Sequence, residues 1–253
     1  MSGQGPTYNT VMKLLAFELS TEACSVALWV DGDVRERHEI APRRHAELAL
    51  PWAEALLAEA GIARSQLDAI AVGRGPGAFT GVRLGVAVAQ GIALALDRPA
   101  VPVSTLVALA MCAVSLGAGE GASVLAAIDA RMNEVYVARY VLTTEHGALW
   151  PMSPSDEQVL PPDAVSLPER GDTWFGVGTG FGALGGVLHS RLPSGWRAVD
   201  AEALPHAADV VRLAHAALLR GEGVAPEKLE PAYLRNQVAL TLVEQQALRT
   251  SRS

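Results

Sequence analysis

The sequence is short of cysteine, of aromatic residues and of charge. Its two cysteines, Cys24 and Cys112, cannot build a disulfide framework, and neither stands at a metal-ligand spacing. Charged residues are only 19% of the 253, and 27 acidic against 20 basic side chains leave a net charge of −7. A chain this lightly charged and 50% hydrophobic is not disordered. It also lacks the overall basic footprint of a nucleic-acid binder, which leaves room only for a local basic patch. Aromatics are 5%, so Ala, Val and Leu carry the apolar content. That composition suits tight helix packing or an apolar contact surface. No long unbroken apolar run is present. Leu84 to Leu96 spans 13 residues and includes Gly85, Gln90 and Gly91, which predicts no membrane span. Met1 to Thr10 is polar and lacks the basic-then-apolar order of a secretory signal. The expectation is a soluble cytoplasmic protein of one large domain or two small ones.

What is there reads as α/β. Lys13 to Val30 predicts two strands around the polar turn Glu18 to Glu22, closed by Asp31-Gly32. Val34 to Ile40 predicts an edge strand. Arg43 to Ala60 has helical spacing, ends at Gly61, and carries Pro51 as an expected kink or division. A short strand over Leu67 to Val72 leads through a Gly-rich turn into a helix ending near Leu96. Pro99 to Thr105 reads as a break, Val107 to Leu116 as a helix, and Val124 to Ile128 with Glu134 to Leu142 as a second hairpin. Pro151 to Arg170 reads as an irregular crossing. Thr173 to Val177 is a predicted strand and Ala207 to Arg220 a helix, with a tail after Pro231.

The two hairpins align at a constant offset that puts Glu18 on Asp129. A single duplication of this kind predicts two related half-domains rather than a solenoid. In the actin-like architecture such turns approach the phosphates of a nucleotide lying between the halves. Glycine is the usual turn residue there, because backbone N–H groups cradle phosphate only where no side chain intervenes. Here Ser20 and Thr21 follow Glu18, and Ala130 and Arg131 follow Asp129. These five positions, Glu18, Ser20, Thr21, Asp129 and Arg131, form at most a degenerate nucleotide site. Gly73 to Gly81 follows a strand and opens a helix, as an anion site can, but no Lys follows the glycines. Its simpler reading is a tight turn with positive-φ glycines and Thr80 as a helix cap. Gly180 to Gly185 matches a dinucleotide fingerprint with Asp200 beyond it, in surroundings that lack alternating βαβ units. The six histidines form no ligand pair, His45 is placed to cap, pair or contact a partner, and Cys24 reads as a buried strand thiol. The helix from Gly81 to Leu96 is apolar nearly all round, with Gly81, Gly85 and Ala89 at intervals of four. Such a helix is buried on every face, either in the core or against another subunit.

Five stretches together resemble the TsaB family of bacterial tRNA threonylcarbamoyladenosine biosynthesis proteins, in the actin-like ATPase superfamily. They are Leu19 to Leu28, Gly73 to Arg83, Val103 to Leu106, Ile128 to Tyr136 and Pro231 to Asn236. The resemblance implies two actin-like (ribonuclease H-like) half-domains, each a mixed sheet flanked by helices. They are expected at 11–103 and 104–204, between a 1–10 tail and a 205–239 segment returning to the first half, with 240–253 a second tail. It implies a non-catalytic subunit that binds and stabilises a TsaD-like transferase, is joined by a TsaE-like ATPase, and reaches tRNA indirectly. A free homodimer is compatible with it. No cofactor or metal is expected, with ATP or ADP and Mg only in the complex. The implied contact helices carry His45, Leu48, Trp52 and Leu56 on one and Val82, Gly85, Val86 and Ala89 on the other. Two further readings stay open: a small actin-like ATPase or kinase using Glu18 and Asp129, and an NAD-binding oxidoreductase at Gly180.

Overall fold

The computed structural model describes residues 12–145, 148–152, 156–168 and 173–235. The expected tails at 1–10 and 240–253, with Asn236, lie outside the described residues. The first sheet holds β1 (Lys13–Glu18), β2 (Ala23–Val30), β3 (Asp33–Ile40), β4 (Ala69–Gly73) and β5 (Ala100–Val103), in the order β3-β2-β1-β4-β5. The second holds β6 (Ser123–Arg131), β7 (Glu134–Glu145), β8 (Ala148–Met152), β9 (Gln158–Leu160), β10 (Trp174–Val177) and β11 (Ala198–Asp200), in the order β11-β10-β6-β7-β8 with β9 also on β7. Each sheet has a central strand, β1 or β6, that is antiparallel to the next strand in sequence. Each central strand is parallel to a later one, β4 or β10. The two sheets therefore share one topology.

Among the described residues the α-helices are α1 (His45–Ala60), α2 (Phe79–Leu96), α3 (Thr105–Ala110), α4 (Ala183–Ser190) and α5 (Ala207–Leu219). Alternation along the central strand assigns each face its partners. Leu15 and Phe17 of β1 pack in one cluster with Ala49, Ala53 and Leu56 of α1 and Val86 and Ala89 of α2. Leu14 and Ala16 pack on the opposite face with Val210, Val211 and Ala214 of α5. The alanines on that face let α5 lie close to the sheet. In the second sheet, Val124, Ala126 and Ile128 pack with α3, while Leu125 and Ala127 pack with Phe181 and Leu188.

Several expectations change. The Pro99–Thr105 break contains β5, which pairs in parallel with β4. Its Val-Pro-Val run sits at the sheet edge, where a missing N–H is tolerated. The Pro-rich crossing contains β8 and β9. Helix α1 runs unbroken through Pro51, held by packing of its buried face. It ends at Gly61 in the left-handed conformation, φ 66°. Helix α2 is 18 residues long, with mean hydropathy 1.6, and so has the length and composition of a membrane span. It lies along its own sheet instead, with Gly85 over Val72 and Leu19. After Pro231 the chain is tied down: Ala232 N–H donates to Arg74 O (2.8 Å), and Arg235 pairs with Glu134.

Candidate functional site

The Gly-rich segment and the first hairpin turn form one interlocked unit. A Cβ on Gly73 would fall inside the Glu18 carboxylate, one on Gly77 would overlap Ser20, and one on Gly81 would overlap the Leu19 carbonyl. Of these glycines only Gly75 has positive φ, at 95°. The others are required by close approach of the β1–β2 turn, which corrects the expectation of positive-φ glycines. Thr80 does not cap α2; the cap position is Ala78, which has no side-chain cap bond. Three of the segment's N–H groups are already used. Arg74 donates to Val103 O (2.8 Å), Gly75 to Thr105 Oγ1 (3.2 Å) and Ala78 to Ser20 O (2.7 Å). The loop thus cradles its own chain where a nucleotide-binding loop would cradle phosphate.

Glu18 is fully buried. Its Oε1 accepts from the Ser20 N–H (2.8 Å) and from the Ser20 hydroxyl, and its Oε2 accepts from Thr105 (3.2 Å). Burial pushes its pKa up, against the lowering effect of these three donors. Ser20, where a glycine was expected, acts as a donor to Glu18. Thr105, at the start of α3, ties the turn and the Gly-rich loop to the chain leading into the second sheet. Sequence reading missed Thr105, because nothing local links it to a residue 87 positions away.

The second turn is built differently. Asp129 Oδ1 and Oδ2 accept from Arg131 N (2.8 Å) and Arg131 Nη1 (2.8 Å), and Asp129 N–H donates to Thr179 Oγ1 (3.1 Å). Arg131, Met132 and Asn133 are all left-handed, with φ of 60°, 55° and 64°. Asp129 and Arg131 line a cleft of about 720 Å³ between the sheets, together with Ser20, Thr21, His45 and Thr179. Glu18 does not line it. The geometry therefore separates Glu18, buried under the Gly-rich loop, from Asp129, which lines the cleft.

The expected contact residues are also redistributed. Leu56, Gly85, Val86 and Ala89 are buried against the chain's own first sheet, and Val82 is buried beside Gly75 of the Gly-rich loop. Leu48 and Trp52 are half-buried on the same cluster. His45 is half-buried, and its Nε2 stands 3.0 and 3.1 Å from the Thr21 and Ala23 carbonyls, so that nitrogen carries the proton. The reason is periodicity: on a helix apolar all round, spacing alone cannot separate the face toward the sheet from the face toward solvent. The outward face of α2 is Thr80, Ala87, Gly91, Leu94 and Ala95, with Leu84 and Val88 half-buried beside it. From Leu84 to Leu96 the helix carries no charged residue.

The dinucleotide fingerprint has another use. A Cβ on Gly180 would stand 2.7 Å from that of Ala127, and Gly178 is equally tight against the Ala127 carbonyl. Leu184, Gly185 and Gly186 are left-handed inside α4, so no regular helix follows to aim N–H groups at a pyrophosphate. β10, α4 and β11 do form a parallel βαβ unit, as do β4, α2 and β5. The expected absence of such units is thereby corrected. Asp200 Oδ1 accepts from Glu202 N (2.9 Å). Burial raises the Cys24 thiol to about 11 and that of Cys112 to about 12, far from a reactive thiolate. Among the described residues no three His, Cys, Asp or Glu converge on a metal site.

Comparison with known proteins places this arrangement. A relative from Escherichia coli, tRNA threonylcarbamoyladenosine biosynthesis protein TsaB, is 42% identical over 90% of this chain and 96% of its own. The Haemophilus influenzae protein of the same name is 40% identical over 90% and 95%. The chain belongs to the TsaB family. A solved structure, YeaZ from Pseudomonas aeruginosa, superposes with a TM-score of 0.78 at 48% identity, covering 88% of this chain and all of that one. The family of TsaD, tRNA N6-adenosine threonylcarbamoyltransferase, matches residues 38–150. The fold is thus the α/β, two-sheet actin-like fold that the resemblance implied, and the TsaB family's role in tRNA threonylcarbamoyladenosine biosynthesis is this chain's.

Proposed function

We propose that the chain is a non-catalytic subunit that binds and stabilises a TsaD-type transferase for threonylcarbamoylation of tRNA. The observation that carries this is the outward face of α2. It is an uncharged stripe of small and apolar side chains at helical spacing, Thr80, Leu84, Ala87, Gly91 and Leu94. Small residues on a helix surface let a second helix approach closely. The docking face is therefore the opposite side of α2 from Gly85 and Ala89. A TsaE-type ATPase joins the pair, the free chain self-associates through the same stripe, and ATP or ADP with Mg is held only in the complex. The sealed Glu18 supports that last point. The half-domain limits near residues 103 and 204 and the cytoplasmic setting belong to the same reading.

The test is Ala87→Glu and Gly91→Glu, both on exposed positions with room for a side chain at Gly91. Co-purification with the TsaD-type subunit is expected to fall at least about tenfold while circular dichroism is unchanged, since a buried unpaired charge at a helix interface costs more than 1.4 kcal/mol, or about a factor of ten. Undiminished co-purification of both variants would remove the assignment. Gly85→Leu is not a usable probe, because a Cβ there already meets Val72 at 3.3 Å.

A further inference from the structure

A second cavity, of about 470 Å³, opens beside the cleft between the sheets, and Gly77, Phe79 and Tyr136 line both. The two adjoin across these three residues and are taken together as one groove. At its far end the guanidinium of Arg83 lies 3.2 Å from the centre of the Phe79 ring and 5.1 Å from that of Tyr233. Its Nη1 is buried with no hydrogen-bond acceptor. Phe79 is 61% exposed and Tyr233 55%, a large apolar area to leave in water on a chain with few aromatics. The groove is lined by four arginines, Arg43, Arg83, Arg131 and Arg235, and by two carboxylates, Glu22 and Asp129. Asp129 pairs with Arg131, and Glu134 pairs with Arg235. Among the described residues Arg43 and Arg83 have no acidic partner. A chain of net charge −7 thus holds a local cationic groove with half-exposed rings.

We propose that this groove binds a single-stranded segment of RNA, with bases stacked on Phe79 and Tyr233 and phosphates drawn to Arg83 and Arg43. Tracking cations interleaved with exposed rings are the general means of holding single strands, because every base has a face to stack and every linkage a charge. A guanidinium already held between two rings adds its field without the cost of ordering it. A mononucleotide would fill one of the two cavities; two adjoining cavities with a shared wall suit a strand that crosses it. The inference rests on the reading that the chain works in a tRNA-modifying complex, and it converts an indirect relation to tRNA into a direct contact.

The test uses the full chain and a short, fluorescently labelled single-stranded RNA oligonucleotide, followed by anisotropy. Binding is expected to weaken with salt at a slope near −1.4 on a double-logarithmic plot, for about two phosphate contacts at 0.7 each. Tyr233→Ala is expected to weaken binding about tenfold, within the range of one base–aromatic stack. Tyr233→Phe should restore it, Arg83→Gln should weaken it and flatten the salt slope, and Arg64→Ala, far from the groove, should do nothing. No RNA binding by the unaltered chain, or unchanged affinity in both Tyr233→Ala and Arg83→Gln, would overturn the proposal. So would AMP competing at the same concentration as the strand, which would make the groove a mononucleotide site. Co-purification of Tyr233→Ala with the TsaD-type subunit is measured in parallel. Retained pairing without RNA binding by the unaltered chain sinks this inference alone, whereas undiminished pairing of the α2 stripe variants sinks the docking proposal.

Discussion

The β1–β2 and β6–β7 turns stand at the same place in two sheets of the same strand order, yet one is interior and the other exterior. Glu18 is sealed under the Gly-rich loop by Ser20 and Thr105. The second turn projects three left-handed residues, with Met132 75% exposed. The difference lies in the segment after each parallel partner strand. β4 runs into a segment whose glycines let α2 press onto the first turn. β10 runs into glycines that press instead on Ala127, in the middle of β6, and leave the second turn exposed but for Arg235, which donates to Ala130 O (3.3 Å). One fold unit can thus place its close approach at the tip of a hairpin or along its stem, and only the first choice buries the acidic residue.

The strongest way to break this comparison is Gly73→Ala. Its methyl group has nowhere to go but into the Glu18 carboxylate, and a loss of about 3 kcal/mol or more is expected in urea unfolding. Near-neutral behaviour would mean that the two turns are not held so differently. Next comes Glu18→Ala, which strands the Ser20 N–H, leaves the Ser20 and Thr105 hydroxyls only each other as partner on that side, and opens a small void. About 2–3 kcal/mol of destabilisation is expected by the same measurement. The equivalent Asp129→Ala closes the series with a change within about 0.5 kcal/mol, because the Asp129–Arg131 pair is at the surface. Equal effects at the two positions would erase the distinction.

Between these lies the contact that fixes α5 on the first sheet, which has no counterpart among the described residues of the second. Glu36 of β3 accepts from the Ala208 N–H (3.0 Å) and the Ser25 hydroxyl (2.7 Å), and faces His206 Nδ1 at 3.1 Å. It caps the start of α5 from another element. Burial pushes the Glu36 carboxyl up, but His206, Ser25 and Ala208 outweigh it and hold it at about 2, below the ordinary 4.5. This contribution to stability is complete above pH 4.5 and is lost as the pH falls toward 2. His206 is raised above 6.5, chiefly by its bond to Glu36, against burial. Its share is present below 6.5 and is lost as the pH rises through the folded-state value. Glu36→Gln is expected to cost about 1–2 kcal/mol at neutral pH. Denaturant midpoints across pH should show a shallower acid limb in the variant; parallel acid limbs would remove Glu36 from this role.

Much of the fold was legible locally. Strands β1, β2, β6 and β7 announce themselves by apolar runs and turn residues, and α1 ends at its glycine. The repeat of Glu18 and Asp129 pointed to two related sheets. β5, β8 and β9 were hidden because short strands interrupted by proline or polar residues carry no periodic signal. The site was less legible. Glycine marks a place where a side chain does not fit, but not what fills the space. In 73–81 that filler is the chain's own turn.

By itself, the sequence determined the α/β class, the paired hairpins, the family and a lightly charged, aromatic-poor composition. Only the tertiary structure decided which side of α2 faces outward, because a helix apolar all round has no period that distinguishes core from contact face. It alone decided that Glu18 is buried, because that depends on Thr105 and Gly73 arriving from distant parts of the chain. And it alone gathered Arg83, Phe79 and Tyr233 at one groove, since a stack between residues 150 positions apart has no trace in local pattern.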